Sequence, residues 1–224
     1  MNKILIFGVG LIGGSIALSA KKSGIASDIV GVGRNQDNLN DAIKLKLIDR
    51  TSQELNKDIA EAHIIIIATP VAQFSSILKT IQPHLSSHTI ITDVGSTKTS
   101  VIESAKEILG NQYSQFIGGH PIAGSEKHGA TAAHIDLFKG KNVILTPDQD
   151  TSPRAKEVIE VLWKNAGAIV SNMSHGDHDK IFSTISHLPH LLAFSLVDMI
   201  TQRTNANELL KFAASGFKDF TRIA

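Results

Sequence analysis

Lys3 to Phe7 form a short apolar run that passes directly into Gly8-Val9-Gly10-Leu11-Ile12-Gly13-Gly14-Ser15, and a helical pattern continues from there to Ser23. Few architectures accommodate a strand, a turn with this glycine spacing and a helix in immediate succession. The arrangement opens a βαβ unit of a parallel sheet. In such a unit Gly8 permits the tight turn, Gly10 lets the main chain approach a pyrophosphate, and Gly13 lets the helix pack close on the strand. The N–H groups at the helix start, where Leu11 and Ile12 stand, act with the helix dipole to hold the phosphates. A dinucleotide site at the first strand is therefore expected.

The alternation continues. A second strand, Asp28 to Val32, leads into Gly33-Arg34-Asn35, about twenty residues past the glycines, where NAD-binding chains carry an acid for the ribose 2′-hydroxyl. An arginine with open space suits the 2′-phosphate of NADP instead, so Gly33 and Arg34 point to NADP in preference to NAD. The competing reading of Arg34 is a solvated surface charge offset by Asp37. After a short helix between Gln36 and Leu47, the run His63-Ile64-Ile65-Ile66-Ile67-Ala68 has the pattern of a strand buried on both faces of a parallel sheet. It ends at Thr69, placed either where the nicotinamide-side ribose crosses the sheet edge or in an ordinary strand-to-helix turn. A helix from Gln73 to Ile81 and a strand from Thr89 to Thr92 follow, and the strand leaves through Asp93-Val94-Gly95-Ser96-Thr97-Lys98. Ser96 suits either a helix N-cap or a hydroxyl beside the nicotinamide that orients a catalytic histidine.

His120 is the candidate for that histidine. It stands in Gly118-Gly119-His120-Pro121-Ile122-Ala123-Gly124-Ser125, a run too glycine-rich for a helix and expected to be a loop at the end of a strand through Phe116 and Ile117. Pro121 biases His120 toward extended backbone, and an imidazole exchanges a proton near neutral pH. The alternative is a histidine that merely caps a turn. Beyond it come a helix containing Ala130, Ala132, Ala133, Ile135, Leu137 and Phe138, a strand from Asn142 to Leu145, a helix from Ser152 to Asn165 and a last strand from Ala168 to Val170. Residues 1–173 are expected to form a doubly wound (Rossmann) parallel α/β domain.

From Ser171 to Asp179 the composition turns to Ser, Asn, His, Gly and Asp, and the rest is helical, so 174–224 is expected to be a small all-helical domain. Ile181, Ile185, Leu188, Leu192, Leu196 and Met199 recur at spacings of three and four and mark an apolar face, with a kink at Pro189. His187 and His190 share a helix side, whereas His178, nine residues before His187, falls opposite on a straight helix at about 100° per residue. These histidines with His175, Asp177, Asp179 and Asp198 raise the question of zinc. The i, i+4 pair and the His-Glu-x-x-His pattern are missing and there are no cysteines, so no metal is expected.

Composition narrows the partners. A net charge of +1 gives no electrostatic case for nucleic acid or an anionic membrane. No apolar run approaches the ~18 residues of a membrane helix, the start lacks the layout of a cleavable signal, and cysteine is absent. A cytoplasmic protein acting on a small molecule is the expectation.

Gly8 to Ser15, Asp93-Val94-Gly95-Ser96, Gly118 to Gly124, Ser186-His187-Leu188-Pro189-His190 and Ser215-Gly216-Phe217-Lys218-Asp219-Phe220-Thr221-Arg222-Ile223-Ala224 occur in this order along essentially the whole chain. Together they resemble the prephenate/arogenate dehydrogenase family of tyrosine biosynthesis. The resemblance implies NAD(P)-dependent oxidation of a ring hydroxyl coupled to loss of carbon dioxide. His120 would be the base, Ser96 its bridge to nicotinamide and substrate, and His187, His190 and His178 substrate-binding groups. Arg222 would grip a carboxylate. It also implies a homodimer through the helical domain, which reads as incomplete because family members continue past Arg222. Two other classes share parts of the pattern: a Rossmann hydroxy-acid or imine oxidoreductase, and a non-catalytic NADP-binding sensor.

Overall fold

The computed structural model describes residues 2–224. Among them eight strands form one sheet: β1 (Asn2–Phe7), β2 (Ala26–Val32), β3 (Arg50–Thr51), β4 (Ile64–Ile67), β5 (Ile90–Asp93), β6 (Phe116–Pro121), β7 (Asn142–Thr146) and β8 (Ile169–Asn172). Their spatial order is β3-β2-β1-β4-β5-β6-β7-β8. The helices between them are α1 (Leu11–Lys22), α2 (Gln36–Lys44), α3 (Leu55–Glu61), α4 (Phe74–Ile81), α5 (Thr99–Leu109) and α6 (Pro153–Asn165). Neither the two-residue β3 nor α3 carries enough periodicity to be anticipated from sequence.

Successive strand side chains point to opposite faces. Ile4, Ile6, Ile64 and Ile66 therefore enter one core with Ile16, Ala17 and Ala20 of α1, Leu39 of α2, and Ile159, Leu162 and Trp163 of α6. Leu5, Phe7, Ile65 and Ile67 enter the other with Ile59 of α3, Leu78 and Ile81 of α4, and Val101, Ile102 and Ala105 of α5. Each of the larger side chains, taken fully out of water, contributes about 1.5–3 kcal/mol. The unbroken isoleucine run is thus the consequence of helices on both faces. The order reverses direction between β1 and β4, and a crevice opens at the carboxyl ends of strands at such a switch point.

The strict alternation fails at one place. β6 runs parallel to β5 through Ile91↔Phe116 and Thr92↔Ile117, then pairs antiparallel with β7 from Gly118↔Thr146 to Pro121↔Val143. The helix expected around Ala130 to Phe138 is only a 3₁₀ turn, Ala130–Ala132. A parallel return normally runs through a helix, which the connection from Ile122 to Lys141 does not form. In consequence His120 lies within a strand, not in a loop, and its glycine neighbours serve close packing: a Cβ on Gly118 would stand 2.5 Å from Thr146 Oγ1.

Contacts divide the chain after His178, and the second unit is Asp179–Ala224. The helix α7 (His175–Phe182) leads into a π-type turn (Ser183–His187), followed by α8 (Leu188–Thr201), α9 (Ala206–Lys211) and α10 (Ser215–Thr221). Both α9 and α10 pack on α8. Pro189 has no N–H to donate, and the wide turn just before it replaces the single kinked helix expected. The apolar face is not covered by the described residues: Ile185 is 65% exposed, Leu192 51% and Met199 48%. No helix among the described residues is long and apolar enough to cross a membrane.

Candidate active site

At the switch point a cleft of about 1030 Å³ is lined by Gly8 to Gly10, Val32 to Gln36, Asn38, Ala68 to Pro70 and Gln73, among others. Gly8 has φ +92°, a conformation open to glycine, and a Cβ there would stand 2.6 Å from the Ala68 carbonyl oxygen. A Cβ on Gly13 would collide with the Gly8 carbonyl, so this glycine sets how closely α1 approaches β1. At Gly10, by contrast, nothing stands within 4 Å of a Cβ position, so the main chain faces open space. The first α1 bond runs from the Gly14 N–H to the Gly10 carbonyl at 2.8 Å. The N–H groups of Leu11 and Ile12 consequently have no acceptor inside the helix, as anion binding requires.

Two further observations fit a dinucleotide. Thr69 Oγ1 is buried without a hydrogen-bond partner, which is costly unless a ligand supplies one. Arg34 is exposed on the cleft wall beside Gly33, where a Cβ would meet nothing closer than Leu39 at 3.4 Å. Asn38 is a member of the cleft that sequence inspection missed. Its Nδ2 donates to the Val9 carbonyl (2.7 Å) and its Oδ1 accepts from the Ala130 N–H (2.7 Å), holding the glycine turn. Those partners lie 29 and 92 residues away, so no local pattern could announce the role.

On the same sheet edge, His120 Nδ1 is 2.8 Å from Nε2 of the fully buried His178. One of the two nitrogens must carry the proton, so each ring fixes the tautomer and tilt of the other. His178 lies on α7, whereas His187 ends the π-type turn that follows it. Ser96 is exposed in the segment leaving β5, and it is not a helix cap, since α5 starts at Thr99 with Lys98 at the cap position. Between β5 and β6, Asp93 and Lys98 form a buried ion pair that also bonds the Gly119 main chain.

In the second unit, His190 Nδ1 donates to the Ser186 carbonyl at 2.7 Å, since that oxygen can only accept. His187 is half-buried and Arg222 is exposed at the end of α10. Among the described residues no group of three or more His, Asp or Glu side chains could hold a metal ion.

A doubly wound domain with a glycine turn at its switch point, opening into a cleft at the carboxyl ends of the strands, has the build of a nucleotide-binding domain. The family model described as "Prephenate dehydrogenase, nucleotide-binding domain" matches residues 16–172, and the model described as "Prephenate dehydrogenase, dimerization domain" matches residues 174–224. The chain belongs to the prephenate dehydrogenase family. It is 44% identical to a prephenate dehydrogenase of Bacillus subtilis over all of this chain and 60% of that relative, so it spans about three fifths of the relative's length. A crystal structure of prephenate dehydrogenase from A. aeolicus in complex with hydroxyphenyl propionate and NAD+ superposes with a TM-score of 0.91 at 38% identity, over 100% of this chain and 78% of that one. A Synechocystis arogenate dehydrogenase gives 0.80 at 32% identity, over 99% and 78%. The fingerprint glycines precede residue 16, where the first family match begins, so their reading stands on the turn geometry.

Proposed function

We propose that the protein carries out NAD(P)-dependent oxidative decarboxylation of prephenate, or of arogenate, in tyrosine biosynthesis. The observation that carries this reading is His120, held by His178 on the sheet edge that also bears the dinucleotide cleft. The support from relatives is that one solved neighbour was obtained with hydroxyphenyl propionate and NAD+ and another is an arogenate dehydrogenase. Bound nicotinamide supplies the hydride acceptor. His120, with Nδ1–H donating to His178, takes the proton from the ring hydroxyl oxygen at Nε2 as the hydride leaves the carbon that bears that hydroxyl. The oxidised ring then loses carbon dioxide and becomes aromatic, so the protein's tasks are to position the ring and remove one proton. Ser96 is assigned to the nicotinamide and the substrate hydroxyl. His187 and His190 are assigned to substrate binding, and Arg222 to a bidentate grip on a carboxylate. The nucleotide-binding domain is taken to end at residue 173, while by contacts residues 174–178, His178 included, stay with the first unit.

NADP is the preferred cofactor in this reading, because Gly33 leaves space and Arg34 supplies a cation where a 2′-phosphate would lie. With prephenate or arogenate and each cofactor, the absorbance of reduced nicotinamide should rise, with the larger kcat/KM for NADP. Gly33→Asp should shift the ratio toward NAD, since the carboxylate accepts the 2′-hydroxyl and repels phosphate. Its backbone is not in the left-handed region and Leu39 leaves room, so the variant should fold. A clear NAD preference in the wild type would overturn the cofactor assignment; oxidation of neither substrate would favour another oxidoreductase or a sensor.

α8 exposes Leu188, Leu191, Leu192, Phe194 and Met199, and α9 exposes Leu209 and Leu210; clustered exposed apolar side chains of this kind mark interaction sites. With the family model's description, they support a homodimer through the helical domain. Light scattering should return twice the 24.0 kDa of the chain; a monomer mass at micromolar concentration would refute it.

A further inference from the structure

We infer that Asp93 and Lys98 are positioning residues for His120, an assignment that rests on the catalytic reading of that histidine. Main-chain pairing between β5 and β6 ends at Thr92↔Ile117. From there His120 is still three residues away on the protruding end of β6, and the Gly119 peptide needs partners on the β5 side. Side chains provide them. The Gly119 N–H donates to Asp93 Oδ1 at 3.1 Å, and the Gly119 carbonyl accepts from Lys98 Nζ at 2.8 Å. Asp93 Oδ2 accepts from the Gly95 N–H at 2.8 Å and from Lys98 Nζ. An acid and a base from the β5 exit thus continue the hydrogen-bond ladder to the residue immediately before the proposed base.

The burial of both groups argues that this is a specific device. Lys98 is 0% exposed and Asp93 2%, and charges are rarely taken so far from water unless paired and hydrogen-bonded. The surroundings are shaped to admit them. A Cβ on Gly119 would stand 2.9 Å from the Asp93 carbonyl oxygen, one on Gly95 2.8 Å from Asp93 Oδ2, and one on Gly118 3.4 Å from Lys98 Cδ. Gly95 and Gly119 therefore make room for the pair, and β6 cannot slide without breaking a charged bond. The lysine and aspartate neutralise each other, so they act on His120 through geometry.

The test compares Lys98→Met with the double variant Asp93→Asn/Lys98→Met. Lys98→Met leaves the carboxylate buried and unpaired, so it should lower Tm and, per folded molecule, lower kcat about 10- to 100-fold, the scale of a misplacement of about 1 Å. Cofactor Kd should move less than about twofold, because the glycine turn is untouched. The double variant removes the unpaired charge and should recover Tm, yet kcat should remain low because nothing holds the Gly119 carbonyl. The ring ¹⁵N and ¹H resonances of His120 and His178 should shift in both variants, and they report position whether or not prephenate is turned over. If the double variant regains kcat together with Tm, and the ring signals match the wild type, the pair is only structural and the inference is wrong. Should the wild type itself oxidise neither substrate, the functional reading fails while the ring signals still decide the positioning.

Discussion

His120→Asn should fold, bind cofactor normally and lose kcat by about 10²- to 10⁴-fold, the usual contribution of a positioned acid–base group. Asparagine keeps a polar group opposite His178 and so limits the damage to packing, but it cannot accept the substrate proton. In the wild type the base must be neutral, so kcat/KM should fall as pH drops through the imidazole range, and that acid limb should be missing from the residual activity of the variant. The measurement is a pair of pH profiles under saturating cofactor, with cofactor binding followed separately by fluorescence. Near-normal turnover by His120→Asn would make the His120–His178 bond a structural contact and remove the observation on which the proposed function rests.

The second large effect is expected at Arg222. It follows α10, is exposed, and carries a planar, permanently charged group suited to a two-pronged bond with a carboxylate. Prephenate has two carboxylates. The neighbouring Lys218 offers only a point charge. Arg222→Ala should raise KM for prephenate by about one to two orders of magnitude, the ~1.5–3 kcal/mol of a charged hydrogen bond, while cofactor Kd stays nearly constant. Arg222→Lys should recover only part of the loss, because charge returns without the fork. If Arg222→Ala binds prephenate as the wild type does, the carboxylate is held elsewhere.

The residues alone determined the parts of this protein whose causes are local. Gly8, at φ +92°, and Gly13, where a Cβ would meet the Gly8 carbonyl, each answer to a constraint within a few residues. The isoleucine run of β4 announces its own double-sided burial, and Ser152 caps α6 by accepting from the Ala155 N–H at 3.1 Å. What depended on distant segments meeting was decided only in three dimensions. The antiparallel pairing of β7 with β6, across a connection without the expected helix, puts His120 in a strand where a loop was expected. His178 of α7 meets His120 of β6 across 58 residues, a separation that no local pattern reports. Asp93, Lys98 and Gly119 look unremarkable in sequence. They become a unit only where β6 outruns β5, leaving a peptide group whose hydrogen bonds must come from side chains.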